Sequence, residues 1–221
     1  MSLDAERHSK ALDVELITDP TEKAKQEARN GLRQFDEIIE QIEYWLQPER
    51  PFRLRPSAIL SLNRRALEKI SPFAGIWRPA AIEIGGSRHT PPPAHLVPEL
   101  IENMCEYVNN SWTKSPIHLC AYSLWRMNWI HPFVDGNGRT ARAISYVILC
   151  VRLGYRLPGT QTIPEQIASN KPPYYKALEA ADSRQAEGKL DLAEMEALLE
   201  SLLAAQLLSV LKDAGSAREL G

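Results

Sequence analysis

The stretch His131-Pro132-Phe133-Val134-Asp135-Gly136-Asn137-Gly138-Arg139-Thr140-Ala141-Arg142 decides how this chain is read. It sets a histidine, a carboxylate, a Gly-Asn-Gly turn and two arginines directly ahead of a long apolar run, Ala141 to Leu153. A turn that opens a helix presents unpaired backbone N–H groups and the positive end of the helix dipole, and both favour phosphate. Gly136 and Gly138, on either side of Asn137, let the backbone approach an anion and adopt positive φ. Arg139 and Arg142, three apart, share a face of the first helical turns and can clamp phosphate oxygens with planar forks. Asp135 can hold a Mg²⁺ shared with those oxygens, because Mg²⁺ commonly uses one or two carboxylates plus phosphate. His131, with an ordinary pKa near neutrality, is placed to take a proton from an incoming hydroxyl. Each residue alone has a plainer use: a structural histidine, a simple turn, two arginines on surface carboxylates. Together, at a junction between loop and buried helix, they favour a phosphate site. A His131–Asp135 metal pair finds no third ligand nearby and makes a weak zinc site.

Outward from this stretch the chain reads as helices. The run Ala141 to Leu153 is apolar over nearly its whole circumference, which places it centrally, and Gly154 ends it. Upstream, Ser115-Pro116 supplies a cap and a first-turn proline for the helix Ile117 to Trp129, which delivers the chain to His131. Leu96 to Val108 is a further helix. Earlier still, Asp19-Pro20-Thr21-Glu22 reads as a helix start, followed by Leu32, Phe35, Ile38, Ile39, Ile42, Trp45 and Leu46 as a core-facing stripe that Gly31 interrupts. Pro48 to Pro56 makes a loop, and Ile59, Leu60, Leu62, Leu67 and Ile70 mark a second helix. Between them and Leu96, Ala80 to Ile84, the turn Gly85-Gly86-Ser87 and the return Arg88-His89-Thr90 read as a short β-hairpin. Too short to stand alone, it leans on helices or serves as a flap. Beyond Gly154 come a segment from Pro164 to Ser169, a helix through Tyr174 to Ala181, and a leucine-rich helix from Asp191 to Leu211. The leucine stripe packs back on the core or joins two copies into a homo-oligomer, the first being the commoner use. The fold class is all-α with one small β-hairpin. The expected divisions are a flexible lead-in over 1–18, an N-terminal helical region over 19–70, a core over 71–212 and a frayed tail over 213–221.

Composition bounds the function. The chain has 221 residues, 44% of them hydrophobic, and a formal net charge of -2. That suits one substantial domain and disfavours a nucleic-acid binder, which is usually basic. Cys105, Cys120 and Cys150 are isolated and odd in number, so they form neither a disulfide framework nor a zinc spacing, and read as buried small hydrophobes. The N-terminus lacks the apolar region of a secretory signal, and no run is long enough to span a bilayer, so a cytoplasmic protein without a membrane partner is expected.

The quoted stretch is similar throughout to the motif of the Fic family, His-x-Phe-x-(Asp/Glu)-Gly-Asn-Gly-Arg-x-x-Arg, and every specified position matches. Gly75-Ile76-Trp77-Arg78 followed by Ile82-Glu83-Ile84-Gly85 resembles the family's target-docking flap. Tyr174-Tyr175-Lys176-Ala177-Leu178-Glu179-Ala180-Ala181 resembles the helix beside its nucleotide base. The resemblance covers residues 70 to 205 and implies a Fic-type helical bundle. It implies transfer of AMP from ATP to a Ser, Thr or Tyr hydroxyl of a protein, with His131 as general base. Asp135 would hold Mg²⁺ bridging the α- and β-phosphates. Gly136, Asn137 and Gly138 would form the anion hole, Arg139 would hold the β-phosphate and Arg142 the γ-phosphate, while Phe133 anchors the loop and Tyr174 and Asp182 border the base. The kinase-like Doc branch carries lysine at the Gly138 position, so glycine there favours nucleotidyl transfer. Asp182 stands where the family's asparagine is expected, which bears on nucleotide preference. Many members are restrained by a glutamate that pairs with the second arginine. Glu27 is the candidate here, although Lys23 and Ala28 depart from the inhibitory pattern, and a formal match at Ser183 to Gly188 falls in an interhelix loop. Hydrolytic removal of AMP, and a nucleotide-sensing module without turnover, are the alternatives.

Overall fold

The computed structural model describes residues 9–10 and 16–219, with side chains from 16 to 211. The lead-in expected over 1–18 therefore lies largely outside the described residues. A strand β1 (Ser9–Lys10) precedes helices α1 (Pro20–Trp45) and α2 (Pro56–Leu67), strand β2 (Glu83–Ile84), and helices α3 (Val97–Asn110), α4 (Pro116–Ile130), α5 (Asn137–Leu153), α6 (Ile163–Ser169), α7 (Lys171–Ala186) and α8 (Ala193–Glu219). The all-α reading holds. α4 and α5 form the central pair; α1 and α2 pack on α5 from one side, and α7 and α8 on α4 from the other.

The start of α1 forms as its sequence predicts, with Asp19 accepting from the Glu22 N–H at 2.8 Å. Gly31 does not break it. The expected stripe, however, is only half right. Ile38 and Ile42 are buried, but Leu32 is 70% and Phe35 45% exposed, and the buried face of the first half is Gln26, Asn30 and Gln34. Gln26 donates to Asn30 Oδ1, while Asn30 and Gln34 meet carbonyls of α2 and its end, of which Ala66 and Glu68 lie past the last helical N–H that could pair with them. Asn30 Nδ2 donates to the carbonyls of Ala66 (3.2 Å) and Glu68 (2.8 Å), and Gln34 Nε2 to that of Leu62 (3.0 Å). An apolar side chain in place of Asn30 would leave the Ala66 and Glu68 carbonyls without that donor.

α5 is buried on nearly every side, from Ala141 through Cys150, and Gly154 ends it at φ 86° with its N–H on the Cys150 carbonyl. Phe133, at the loop before α5, and Trp125, Met127 and Ile130 of α4 complete the centre of the core. Cys105, Cys120 and Cys150 are buried free thiols, and burial pushes Cys105 and Cys120 up to about 12. α8 packs back through Met195, Leu199 and Gln206, while Leu208 and Leu211 near its end are exposed. No helix among the described residues is long and apolar enough to cross a membrane.

The flap is present but minimal. Its glycine turn closes through a Ser87 N–H to Ile84 carbonyl bond of 3.2 Å. The ladder partner of β2 among the described residues is not the return leg 88–90 but β1, antiparallel, with Ser9 opposite Ile84 and Lys10 opposite Glu83.

A Cβ at Gly31 would meet nothing within 4 Å, and the residue sits exposed inside a helix without positive φ. Gly31→Ala is expected to stabilise the protein by about 0.5–1 kcal/mol, read as a higher midpoint in urea unfolding.

Candidate active site

The chain turns from α4 into α5 within six residues, 131–136. His131 caps α4 in the left-handed region (φ 50°, ψ 59°), its N–H on the Met127 carbonyl at 3.0 Å. A non-glycine residue pays for such a conformation with strain, so the surroundings must hold it there. Gly136 makes the second left-handed step (φ 75°) and begins α5, and no side chain caps that helix end. The first-turn N–H groups of a buried central helix are thus left directed at the loop.

Two asparagines fix the loop. Asn137 accepts the Phe133 N–H at 2.9 Å and donates to the Phe133 carbonyl at 2.8 Å, so its side chain is a brace and only its backbone is available to an anion. Phe133 itself is fully buried against Trp77, with ring centroids 5.0 Å apart. Asn63 of α2, also fully buried, donates to the Asp135 carbonyl (3.1 Å) and Thr140 Oγ1 (3.3 Å) and accepts the Gly75 N–H (2.9 Å). A Cβ at Gly136 would stand 3.0 Å from Asn63 Nδ2, so glycine is required there for both space and φ.

His131 is 8% exposed. Its Nδ1 lies 3.3 Å from the Asn128 carbonyl, which can only accept, so Nδ1 carries the proton and the lone pair resides on Nε2. Burial lowers its pKa to about 4; the Asn128 carbonyl and Asp135 act to raise it, and the charges of Arg78 and His89 lower it further. The imidazole is therefore a neutral base across the physiological range.

Asp135 is exposed; Oδ1 accepts the Gly136 N–H and Oδ2 lies 3.4 Å from Arg139 Nη2. Arg142 is half-buried, and desolvation lowers its pKa, with Tyr174 and Tyr175 acting in the opposite sense. Among the described residues no ion pair joins a carboxylate to Arg142. Glu27 is partly buried on α1 between Gln26 and Asn30, and no ion pair among the described residues links it to Arg142. A Cβ at Gly138 would meet Arg142 Nη1 at 3.2 Å, so glycine leaves that guanidinium its place.

The remaining predicted residues flank this centre. Tyr174 of α7 is buried and its hydroxyl accepts from Asn128 Nδ2 at 2.7 Å. Asp182, two turns on, accepts the Trp125 indole N–H at 2.8 Å and lies 3.9 Å from His89 Nδ1. His89, on the return leg of the flap, meets the Trp129 carbonyl through Nε2 at 2.7 Å. In the flap Ile82 is buried, Glu83 exposed, and Ile84 and Gly85 lie between. Sequence reasoning missed Asn63 as a brace of the loop; its only local signal is a polar residue on the apolar face of α2.

Among the described residues no three His, Cys, Asp or Glu side chains gather as a metal cage. A cation shared with a ligand's phosphates needs no cage, and the exposed Asp135 carboxylate beside the helix end fits that use.

Residues 53–149 match the Fic/DOC family. That segment, from the loop before α2 to most of α5, is of the Fic/DOC family. Over 127 residues it is 35% identical to "Protein adenylyltransferase Fic" of Drosophila melanogaster, covering 56% of this chain and 24% of that protein. The chain thus spans about a quarter of the length of the curated relatives it matches. A Fic domain containing signaling protein from Bacteroides thetaiotaomicron superposes with a TM-score of 0.71 at 24% identity, covering 90% of this chain and 76% of that one. BepC from Bartonella tribocorum, solved with bound AMPPNP, superposes with a TM-score of 0.53 at 14% identity, covering 84% and 88%. These likenesses show a Fic fold.

Two measurements test this Fic site. Because the native pKa is lowered, the His131 imidazole stays neutral until the pH falls to about 4, so its NMR titration midpoint should lie there and not near the ordinary value of about 6.5. Asn63→Leu leaves a buried N–H and a buried carbonyl unpaired, and should lower stability by about 1–3 kcal/mol in urea unfolding.

Proposed function

We propose that the chain is a Mg²⁺-dependent protein adenylyltransferase, moving AMP from ATP to a Ser, Thr or Tyr hydroxyl of a protein. The observation that carries this reading is the uncapped start of α5 with Arg142 beside it, next to a buried neutral histidine. Relatives named protein adenylyltransferase, and a fold neighbour solved with AMPPNP, support it.

In this reading the backbone N–H groups of Gly136, Asn137 and Gly138 hold the phosphate chain, Arg139 faces the β-phosphate and Arg142 the γ-phosphate. Tyr174 and Asp182 border the base. Bound Mg²⁺, held by Asp135, would neutralise phosphate charge as the leaving group departs. The acceptor oxygen attacks the α-phosphorus while its proton passes to Nε2 of His131. The bond from the α-phosphorus to the bridging oxygen breaks, and pyrophosphate leaves. His131 need lose no proton beforehand, since it is neutral at working pH.

The target would dock at the flap Ile82, Glu83, Ile84 and Gly85 by backbone pairing, a mode that asks little of side chains. Strand β2 accepts a partner of that kind already, since β1 lies antiparallel to it. Removal of AMP would need a glutamate to place water, and among the described residues none pairs with Arg142.

Incubation with ATP and Mg²⁺, followed by intact-mass measurement, should show an added AMP on the chain or on a supplied target. Label should enter from α-labelled and not from γ-labelled ATP. His131→Ala should cut transfer by about 10²–10⁴-fold with ATP binding kept. Transfer of γ-label, or transfer insensitive to His131, would refute the reading.

A further inference from the structure

Arg78 is 2% exposed, yet no carboxylate faces it among the described residues. Its guanidinium binds main-chain carbonyls from two places at once. Nε donates to His131 at 2.8 Å and Nη2 reaches Ile130 at 3.5 Å, which are the last residues of the α4 end. Nη1 donates to Ala80 at 3.0 Å and Nη2 to Pro92, which lie on the two sides of the flap. The Arg78 N–H adds a bond of 2.9 Å to the Pro132 carbonyl.

Burying a cation is costly, and the carbonyls at a helix C-terminus are among the few neutral partners that offset it. A tie between two loops does not need a charge, as the neutral amides of Asn63 and Asn137 show in the same site. What guanidinium adds is a rigid fork with five donors, able to hold four carbonyls in one fixed geometry. The anion-binding side of the loop, residues 135–142, is braced by Asn63 and Asn137 and makes no bond to Arg78.

We propose that Arg78 is a positioning residue of the transfer reaction, fixing the flap that presents the acceptor hydroxyl to the backbone of His131, the base that takes its proton. The inference rests on the adenylyltransferase reading. It separates two functions that share one loop: nucleotide binding depends on the asparagine braces, and alignment of acceptor and base depends on Arg78. Misplacing reacting groups by about 1 Å costs on the order of 10²-fold in rate.

The test compares Arg78→Lys and Arg78→Gln with the unaltered chain. It measures ATP–Mg²⁺ affinity by calorimetry, self-modification from α-labelled ATP, and the unfolding midpoint. Both variants should bind ATP within about threefold of the unaltered chain and lose roughly 10²-fold in transfer. Lysine keeps the charge but cannot span the four carbonyls, so it should fail as glutamine does. Full transfer by Arg78→Lys would overturn the proposal, leaving only a role for charge. ATP affinity or folding lost in step with transfer would also overturn it, leaving Arg78 a purely structural part. If the unaltered chain shows no His131-dependent transfer, it is the adenylyltransferase reading that fails; active unaltered protein with equally active variants sinks the positioning role alone.

Discussion

Everything at the site depends on how the chain reverses between two buried helices. α4 must end and α5 must begin within 131–136, a turn in which all but Val134 and Asp135 are buried, so most of the freed backbone groups need partners from the fold. Two left-handed residues, His131 and Gly136, make the reversal geometrically feasible. Side chains from distant parts of the chain keep it from relaxing: Arg78 on the carbonyls that α4 releases, Asn63 on the loop, and Asn137 on Phe133. Past Gly136, whose N–H meets Asp135, the N–H groups of Asn137, Gly138 and Arg139 have no such partner among the described residues, since no side chain caps that end. A helix end left open in this way is suited to an anionic ligand that supplies acceptors.

The two ends of the reversal have opposite polarity, and the chain treats them differently. The carbonyl end of α4 is met by a permanent internal cation, Arg78. The N–H end of α5 faces no permanent internal anion among the described residues, and Arg142 adds a positive charge where one is already in excess. The same imbalance acts on His131, which burial and Arg78 together keep neutral. In the adenylyltransferase reading, binding chemistry and base chemistry both arise from where charge is satisfied by the fold and where it is not.

Much of this was legible in the sequence because it is local. The turn, the helix start at Asp19, the apolar run of α5 and the glycine stop at 154 all lie within a few residues of their causes. Braces across the fold were not legible. Asn63 acts on a residue 72 positions away and Arg78 on one 53 away, and neither separation leaves a pattern in a single sequence. The first half of α1 failed for a related reason. Periodicity marks Leu32 and Phe35 as core, but the surface that α1 meets there is the carbonyl-rich end of α2, so amides are buried and the apolar residues turn outward. The flap was read correctly as a turn and incompletely as a ladder, because its partner strand, Ser9–Lys10, comes from far upstream in the chain.

That last pairing has a consequence for anything arriving at the flap. With Ser9–Lys10 in place, one edge of Glu83–Ile84 is an occupied seat. An extended segment that takes this edge enters by exchange, not by addition, and its apparent affinity is scaled down by the fraction of time the seat stands empty. A ladder of two residues is short enough to yield to a longer one, so selectivity among arriving segments would be set by how much pairing each offers beyond what β1 already provides.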